Sequence, residues 1–514
     1  MNQIPIIQSS EGFLSFIFSK RKNCRSFIII SLAVTFSFII FKILYPFPDF
    51  FSDSYSYIFA ATVKADINTW PIGYSKFLQW FPWLTRSHQA LIFFQFFTYE
   101  LFALYFFFTV DYLFRMRKFL RRILTIFLFF NPLIFYTANY VTSDILFIAL
   151  SLLWLTEVLW ILYRPKWYQI LLQGVLVFAL FTLRYNAMIY PAIGALAFLI
   201  SKHRLALKWS GIAFGPVLIV LFILHSRSAA KEMTGTAQFP ILAGWQWGNN
   251  ALYFREFIQI DSTSFPTAET ARLDSIARQF YRTVPYEQRD LPNYVANYFI
   301  RVSNAPLKIY LHSNYPIHDE LSNMVAWGQA SPVFGEYGRF LIRKYPGAFF
   351  RHFIVVNARN YILPPLEKLE VYNLGMDTVF HGGQRWFLLP SVKVWSVSKH
   401  IQGLLLLPFP ILFLMLNILY ACSLIYFMSR TGFEQAGIVF SKSIIVVTSL
   451  LVLNCGFSIL ANIIVIRYQI FPMLLFISFG LVILDKILQQ KETLSLEAMV
   501  QRKVSVIIQH QINV

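Results

Sequence analysis

Ten apolar stretches of the chain are long enough, or nearly so, to cross a lipid bilayer, and they constrain the fold more than any other feature. They fall at roughly 26–45, 90–110, 123–138, 144–163, 167–183, 187–200, 209–226, 403–427, 441–461 and 468–484; a spanning helix needs about 20 apolar residues. In hydrocarbon every backbone N–H and C=O must be paired within its own segment, so such runs fold as helices. The run from Ile123 to Tyr163 is too long for one helix. Asn131-Pro132 and Thr142-Ser143-Asp144 interrupt it, which predicts two spans joined by a tight turn. Arg184-Tyr185-Asn186 divides 167–200 in the same way. The expected fold class is an all-α polytopic membrane protein. Composition agrees: 57% of residues are hydrophobic and 13% charged, against about 25% charged in soluble domains.

The net charge of +19 would suit nucleic acid in a soluble protein. Here its placement assigns it to membrane topology and no nucleic-acid partner is expected. With the N-terminus inside, the cytoplasmic connections carry Arg115, Arg117, Lys118, Arg121 and Arg122, then Arg164 and Lys166, then Lys202, Arg204 and Lys208, and finally Arg430 and the tail. The short outer connections carry little beyond Asp144, Arg184 and Arg467. Lys and Arg collect in cytoplasmic loops, and the pattern closes only with an even number of spans, so both termini are expected in the cytoplasm. The first run follows Lys20, Arg21, Lys22 and Arg25 without a small-residue cleavage site, and reads as an uncleaved anchor.

Four parts result: an N-terminal membrane module (1–226, seven spans) with a first outer loop at 46–89; an extracytoplasmic segment (227–402); a three-span module (403–484); and a cytoplasmic tail (485–514). The polar segment reads as mostly helical, with runs such as Thr267–Arg282 and Gly335–Asn360. Cys24, Cys422 and Cys455 all lie outside it, so packing and not disulfides must hold it together. A plasma (inner) membrane is the expected location.

Polar residues at the outer ends of the spans are the candidates for chemistry. In Asp53-Ser54-Tyr55-Ser56-Tyr57 a carboxylate stands beside aromatics at the membrane surface. It either caps a helix beginning at Ser54 or, partly desolvated, serves as a base or cation ligand. Thr142-Ser143-Asp144 opens the fourth span, as an N-cap or as a second acidic site. Arg184 and Arg467 stand at the outer face, where the positive-inside rule disfavours them. Each either snorkels or holds an anion with its planar fork, and a lipid phosphate fits. Pro71-Ile72-Gly73-Tyr74 turns the first loop back along the interface. Trp245, Trp247, Asn249 and Asn250, in a segment dense in indole and amide groups, either stack on a sugar or pack an interface. His312, His318, Asp319 and Glu320 match no zinc spacing, and no nucleotide loop or nucleophile elbow occurs.

Taken in order, Asp53-Ser54-x-x-Tyr57, Pro71-x-Gly73-Tyr74, Ser143-Asp144, Leu183-Arg184-Tyr185-Asn186 and Arg467-Tyr468 resemble the GT-C superfamily of membrane glycosyltransferases, which includes protein O-mannosyltransferases and lipid A aminoarabinose transferases. The resemblance covers mainly residues 26–226. It implies inverting transfer of a sugar from a polyprenyl-phosphate donor to an acceptor hydroxyl on a glycan, lipid or protein, outside the cytoplasm. Asp53 would be the general base or help to coordinate a divalent cation, and no other cofactor is implied. Arg184 and Arg467 would bind the donor phosphate. Tyr57, Asp144 or Asp49 would support the site or supply a second acid, since many family members have two adjacent acids where this chain has Asp53-Ser54. Tyr74 and the indole and amide residues would contact sugar or acceptor. The alternative reading is a transporter or flippase of lipid-linked saccharides. That reading predicts polar residues in the middle of several spans, whereas here they cluster at the ends.

Overall fold

The computed structural model describes residues 12–289, 297–430, 432 and 437–512, with side chains described as far as 492. The described chain is helical, and eight helices are long and apolar enough to span a bilayer: Arg21–Leu44, His88–Phe114, Lys118–Asn139, Asp144–Tyr163, Leu205–Thr234, Ile401–Arg430, Ile438–Ala461 and Ile466–Glu492. They coincide with eight of the ten expected segments. The other two form the shorter apolar helices Tyr168–Leu183 and Tyr185–Ile200. At about 1.5 Å per residue, each is shorter than the ~30 Å hydrocarbon layer.

The interruptions read from the sequence are where the chain turns. Asn131 stops the helix Lys118–Phe129, and its carboxamide oxygen accepts the Leu133 N–H at 3.0 Å, starting Pro132–Asn139 with proline in the first turn. Residues 140–143 then reverse direction into Asp144–Tyr163. One expectation is corrected. Gly335–Asn360 is not a single helix: Glu320–Lys344 ends at Tyr345, and Pro346 opens the next element. Proline supplies no N–H and restricts the residue before it, so the helix stops there.

Two small clusters and two large hydrophobic cores lie among the described residues. The larger lies within the bundle, and Tyr361, Leu366, Leu369 and Tyr372 from the polar segment join it. The smaller lies in the polar segment, where Trp245, Leu252, Leu273, Phe299, Leu307 and Phe334 meet, and Ile463 from the C-terminal module packs against it. Its central contact is between Leu242–Arg255 and Glu320–Lys344. The two helices lie so close that a Cβ on Gly244 would strike the backbone carbonyl of Ser331, and one on Gly338 the backbone of Trp247. A buried ion pair crosses the same core: Arg255 reaches both carboxylate oxygens of Asp274, which also accepts the Tyr337 hydroxyl at 3.0 Å. Burying charge is costly unless each group is paired, and here each is.

Candidate functional site

Four apolar helices place charged residues at one end of the bundle. Arg21–Leu44 ends there and leads through a short loop into Ser52–Thr62, with Asp53 in the first turn. Asp144–Tyr163 begins there, Tyr168–Leu183 ends there at Arg184, and Arg467 lies in the turn Ile466–Gln469 that opens the last helix. An acidic side chain near a helix N-terminus is favoured by the helix dipole. Asp53 does not cap its helix, however. The Ser54 hydroxyl takes the Phe51 N–H at 2.9 Å, and the Asp53 carboxylate is left for cations.

Those cations come from distant sequence. Arg467 donates to Asp53 at 3.0 Å and to Asp144 at 3.4 Å. Lys368 lies 3.4 Å from Asp53. Arg184 pairs with the other Asp144 oxygen, and Thr142 donates to Asp144 at 2.8 Å. The Tyr468 ring completes the cluster, with the Arg184 guanidinium 4.7 Å and the Arg467 guanidinium 5.0 Å from its centroid. Phe51 offers its ring to Arg467 and Lys368. The sequence separations leave neither arginine with an acidic neighbour; the fold supplies both, through Asp144 and Asp53. The Arg467 side chain is buried, and its Nε has no hydrogen-bond partner among the described residues.

Burial alone would raise the Asp53 carboxyl, but Lys368 and Arg467 outweigh it and hold the group well below the usual carboxylate range. Burial and the nearby Asp53 charge push the Tyr57 hydroxyl up to about 12, and its oxygen lies 3.3 Å from that of Ser143.

Asp53, Lys368, Arg467 and Tyr468 line a cavity of about 370 Å³. Its other walls come from the first loop (Ser56, Asn68, Trp70) and from the polar segment (Asn297, Lys308, Asn323, Trp327). Arg184 and Asp144 stand behind Arg467 and do not line it.

The remaining candidates lie elsewhere. Asp49 is buried in the turn between the first span and Ser52–Thr62. Its backbone pairs with Asn139 and Val141, and its carboxylate accepts the Asn373 N–H at 3.0 Å. Burial raises that carboxyl to about 8, and it does not reach the cavity. The second carboxylate at the arginines is therefore Asp144. Tyr74, expected at a sugar or acceptor, is fully buried and donates to Gln95 at 2.6 Å. Trp245, Asn249 and Asn250 are likewise inside the smaller core: Trp245 donates to the Trp327 carbonyl at 2.9 Å, and Asn250 to the Ala461 carbonyl at 3.3 Å. Trp247 is exposed but away from the cavity. Asn249 donates to the side chains of Asn250 at 3.3 Å and Asn297 at 3.4 Å, so these groups bond within the protein and do not line the cavity.

Sequence reasoning missed Lys368, Lys308 and Trp327. The one available signal for Lys368 was Pro364-Pro365, a rigid turn just before it. The structure hooks this turn to the arginine, because the Ile466 N–H donates to the Pro365 carbonyl at 2.9 Å. Glu367, next to Lys368, has φ 55°, a backbone strain found disproportionately at functional sites.

No family model, curated protein or solved structure matches this chain. A carboxylate facing a cavity and flanked by two cations can accept a proton, and the cations can hold an anion. A divalent cation fits this donor set poorly. Among the described residues no three His, Cys, Asp or Glu side chains are placed to share one, and Asp53 and Asp144 already share Arg467.

Proposed function

We propose that this chain is an inverting glycosyltransferase of GT-C type, moving a sugar from a polyprenyl-phosphate donor to an acceptor hydroxyl. In this reading the two shorter helices also cross the membrane, giving ten spans. Both termini are then cytoplasmic, and the cavity opens on the outer face of a plasma (inner) membrane. One observation carries the proposal: Asp53 faces a cavity while Arg467 and Lys368 hold it, at the end of a bundle of long apolar helices.

The chemistry follows from that pairing. The acceptor oxygen attacks the anomeric carbon, the bond from that carbon to the phosphate oxygen breaks with its electrons leaving on phosphate, and the hydroxyl proton passes to Asp53. A carboxylate held by two cations is a poor base. An arriving donor phosphate competes for Arg467 and Lys368, which frees Asp53 and restores its basicity. The same cations then neutralise the charge that grows on the departing phosphate. Asp144 keeps Arg184 and Arg467 in place throughout. The polyprenyl chain needs no pocket of its own, since it stays in lipid between helices.

The test is transfer by purified protein in liposomes from a polyprenyl-phosphate-linked sugar to a lipid or glycan acceptor pool. Sugar release from the lipid carrier with appearance in the acceptor is expected. Movement of intact lipid-linked sugar across the bilayer without cleavage would place the chain among flippases instead.

A further inference from the structure

Besides Arg467 and Lys368, the cavity is lined by Arg301 and Lys308, which the proposed transfer does not use. Lys308, third residue of the helix Pro306–Asn314, sets its ammonium 4.1 Å from the centroid of the Trp327 ring and 5.4 Å from that of Trp245. Trp327 is itself stacked on Trp245, centroids 3.9 Å apart, and the Trp245 N–H to the Trp327 carbonyl locks the pair. Lys308 has no hydrogen bond or carboxylate partner among the described residues. Burial lowers its proton affinity to a value of about 8. An indole face stabilises a desolvated ammonium but leaves its three N–H donors unmet. Those donors, Trp327 and the Asn323 carboxamide all line the cavity that Asp53 lines. A cation, an aromatic platform and an amide together match an anionic sugar, with the ring against indole and the acidic group on ammonium.

We propose that Lys308 and Trp327 form the acceptor subsite, and that the acceptor is an acidic saccharide bearing a phosphate or carboxylate group. The identification as an acceptor rests on the glycosyltransferase reading; the anionic-saccharide site itself does not. The acidic group seats at Lys308, which leaves Arg467 and Lys368 for the donor. One cavity thereby holds two anions apart, and each finds its own cation.

Binding to the purified full-length protein in nanodiscs tests this, with glucose 1-phosphate, methyl glucoside and inorganic phosphate as probes and undecaprenyl phosphate as the donor-side control. Glucose 1-phosphate should bind better than either methyl glucoside or inorganic phosphate. Lys308→Gln should weaken it by about tenfold or more, the worth of a charge-assisted hydrogen bond, while Lys308→Arg retains it. Undecaprenyl phosphate should respond to Arg467→Ala and not to Lys308→Gln. Equal affinity for inorganic phosphate and glucose 1-phosphate would overturn the saccharide site, as would an unchanged affinity in a Lys308→Gln protein that melts like wild type. If undecaprenyl phosphate fails to bind while glucose 1-phosphate behaves as stated, the donor reading fails and the Lys308 site stands.

Discussion

Arg467 donates to the Asp53 carboxylate at 3.0 Å across 414 residues of sequence. The bond joins the first loop of the chain to the turn that opens its last helix, and both partners are buried. Replacing a buried ion pair by apolar groups is often neutral, whereas removing one partner typically costs about 3–5 kcal/mol. Such a pair is weak evidence for a stabilising role, and its place on a cavity wall argues for a functional one.

Asp53→Asn separates the two. It keeps the shape and removes the charge that holds Arg467 and Lys368. Turnover should fall by about 10²- to 10⁴-fold, the usual contribution of a general base, while donor affinity stays equal or improves because both cations are released. Steady-state transfer kinetics together with undecaprenyl phosphate binding would check both halves. Near-normal turnover would remove Asp53 from the role of base.

Arg467→Lys keeps a charge but loses the planar guanidinium, whose Nη1 reaches both Asp53 and Asp144 while Nη2 donates to the Tyr468 hydroxyl. Donor affinity should weaken for Arg467→Lys and further for Arg467→Ala. Arg184→Ala should act more mildly, since Arg184 is held to Asp144 behind the cavity wall and touches it only through Arg467 and Tyr468. Equal losses in the two alanine variants would mean that both arginines meet the phosphate directly.

Asp53, Asp144, Arg184 and Arg467 were legible in the sequence because a charge at the edge of an apolar run has few reasons to be there. That the two arginines converge near Asp53 was also expected, but not which carboxylate each would pair with, since that depends on helices folding side by side. Lys368 and Lys308 escaped because charged residues are ordinary in a polar segment; only the Pro364-Pro365 turn marks Lys368, and nothing local marks Lys308. Trp245, Asn249 and Asn250 misled in the opposite way: amide and indole groups look alike in sequence whether they meet a sugar or, as here, backbone carbonyls and neighbouring amides. The helix count shows the same division. Eight runs are long and apolar enough to stand alone as spans, while 167–183 and 187–200 become shorter apolar helices.

The ion pairs at Asp53 also set a pH dependence. Its carboxyl is depressed in the folded protein, so the stability it contributes is present above the unfolded value, about 3.9, and is lost as pH falls through the folded value. The difference in melting temperature between wild type and Asp53→Asn should therefore stay constant from about pH 8 to 5 and narrow in more acid solution. Lys368→Gln removes one of the cations and should move that narrowing to higher pH. A difference that instead grew on acidification would contradict the assigned pairing.

Orientation can be read from labelling. Ser262 is exposed in the polar segment. In a background with Cys24, Cys422 and Cys455 replaced, Ser262→Cys should react with a membrane-impermeant maleimide on intact cells. Reaction only after lysis would put the cavity on the cytoplasmic side and end the outer-face mechanism.

The last prediction concerns the helix contact behind the Trp327 wall. A methyl on Gly244 would meet the backbone carbonyl of Ser331, and that carbonyl belongs to a helix that cannot move alone. Gly244→Ala should therefore part Leu242–Arg255 from Glu320–Lys344, at a cost of about 1–3 kcal/mol or more for overpacking. Gly456→Ala is the contrast, since its Cβ would meet nothing within 4 Å, and there alanine gains about 0.5–1 kcal/mol of helix propensity. Because Trp245 sits one residue beyond Gly244 and stacks on Trp327, Gly244→Ala should also loosen the platform under Lys308. Melting curves should fall for the first variant and hold or rise for the second. Glucose 1-phosphate affinity should follow the first variant only. A Gly244→Ala protein with unchanged melting and unchanged binding would show that the two helices do not pack as closely as the glycine contact requires.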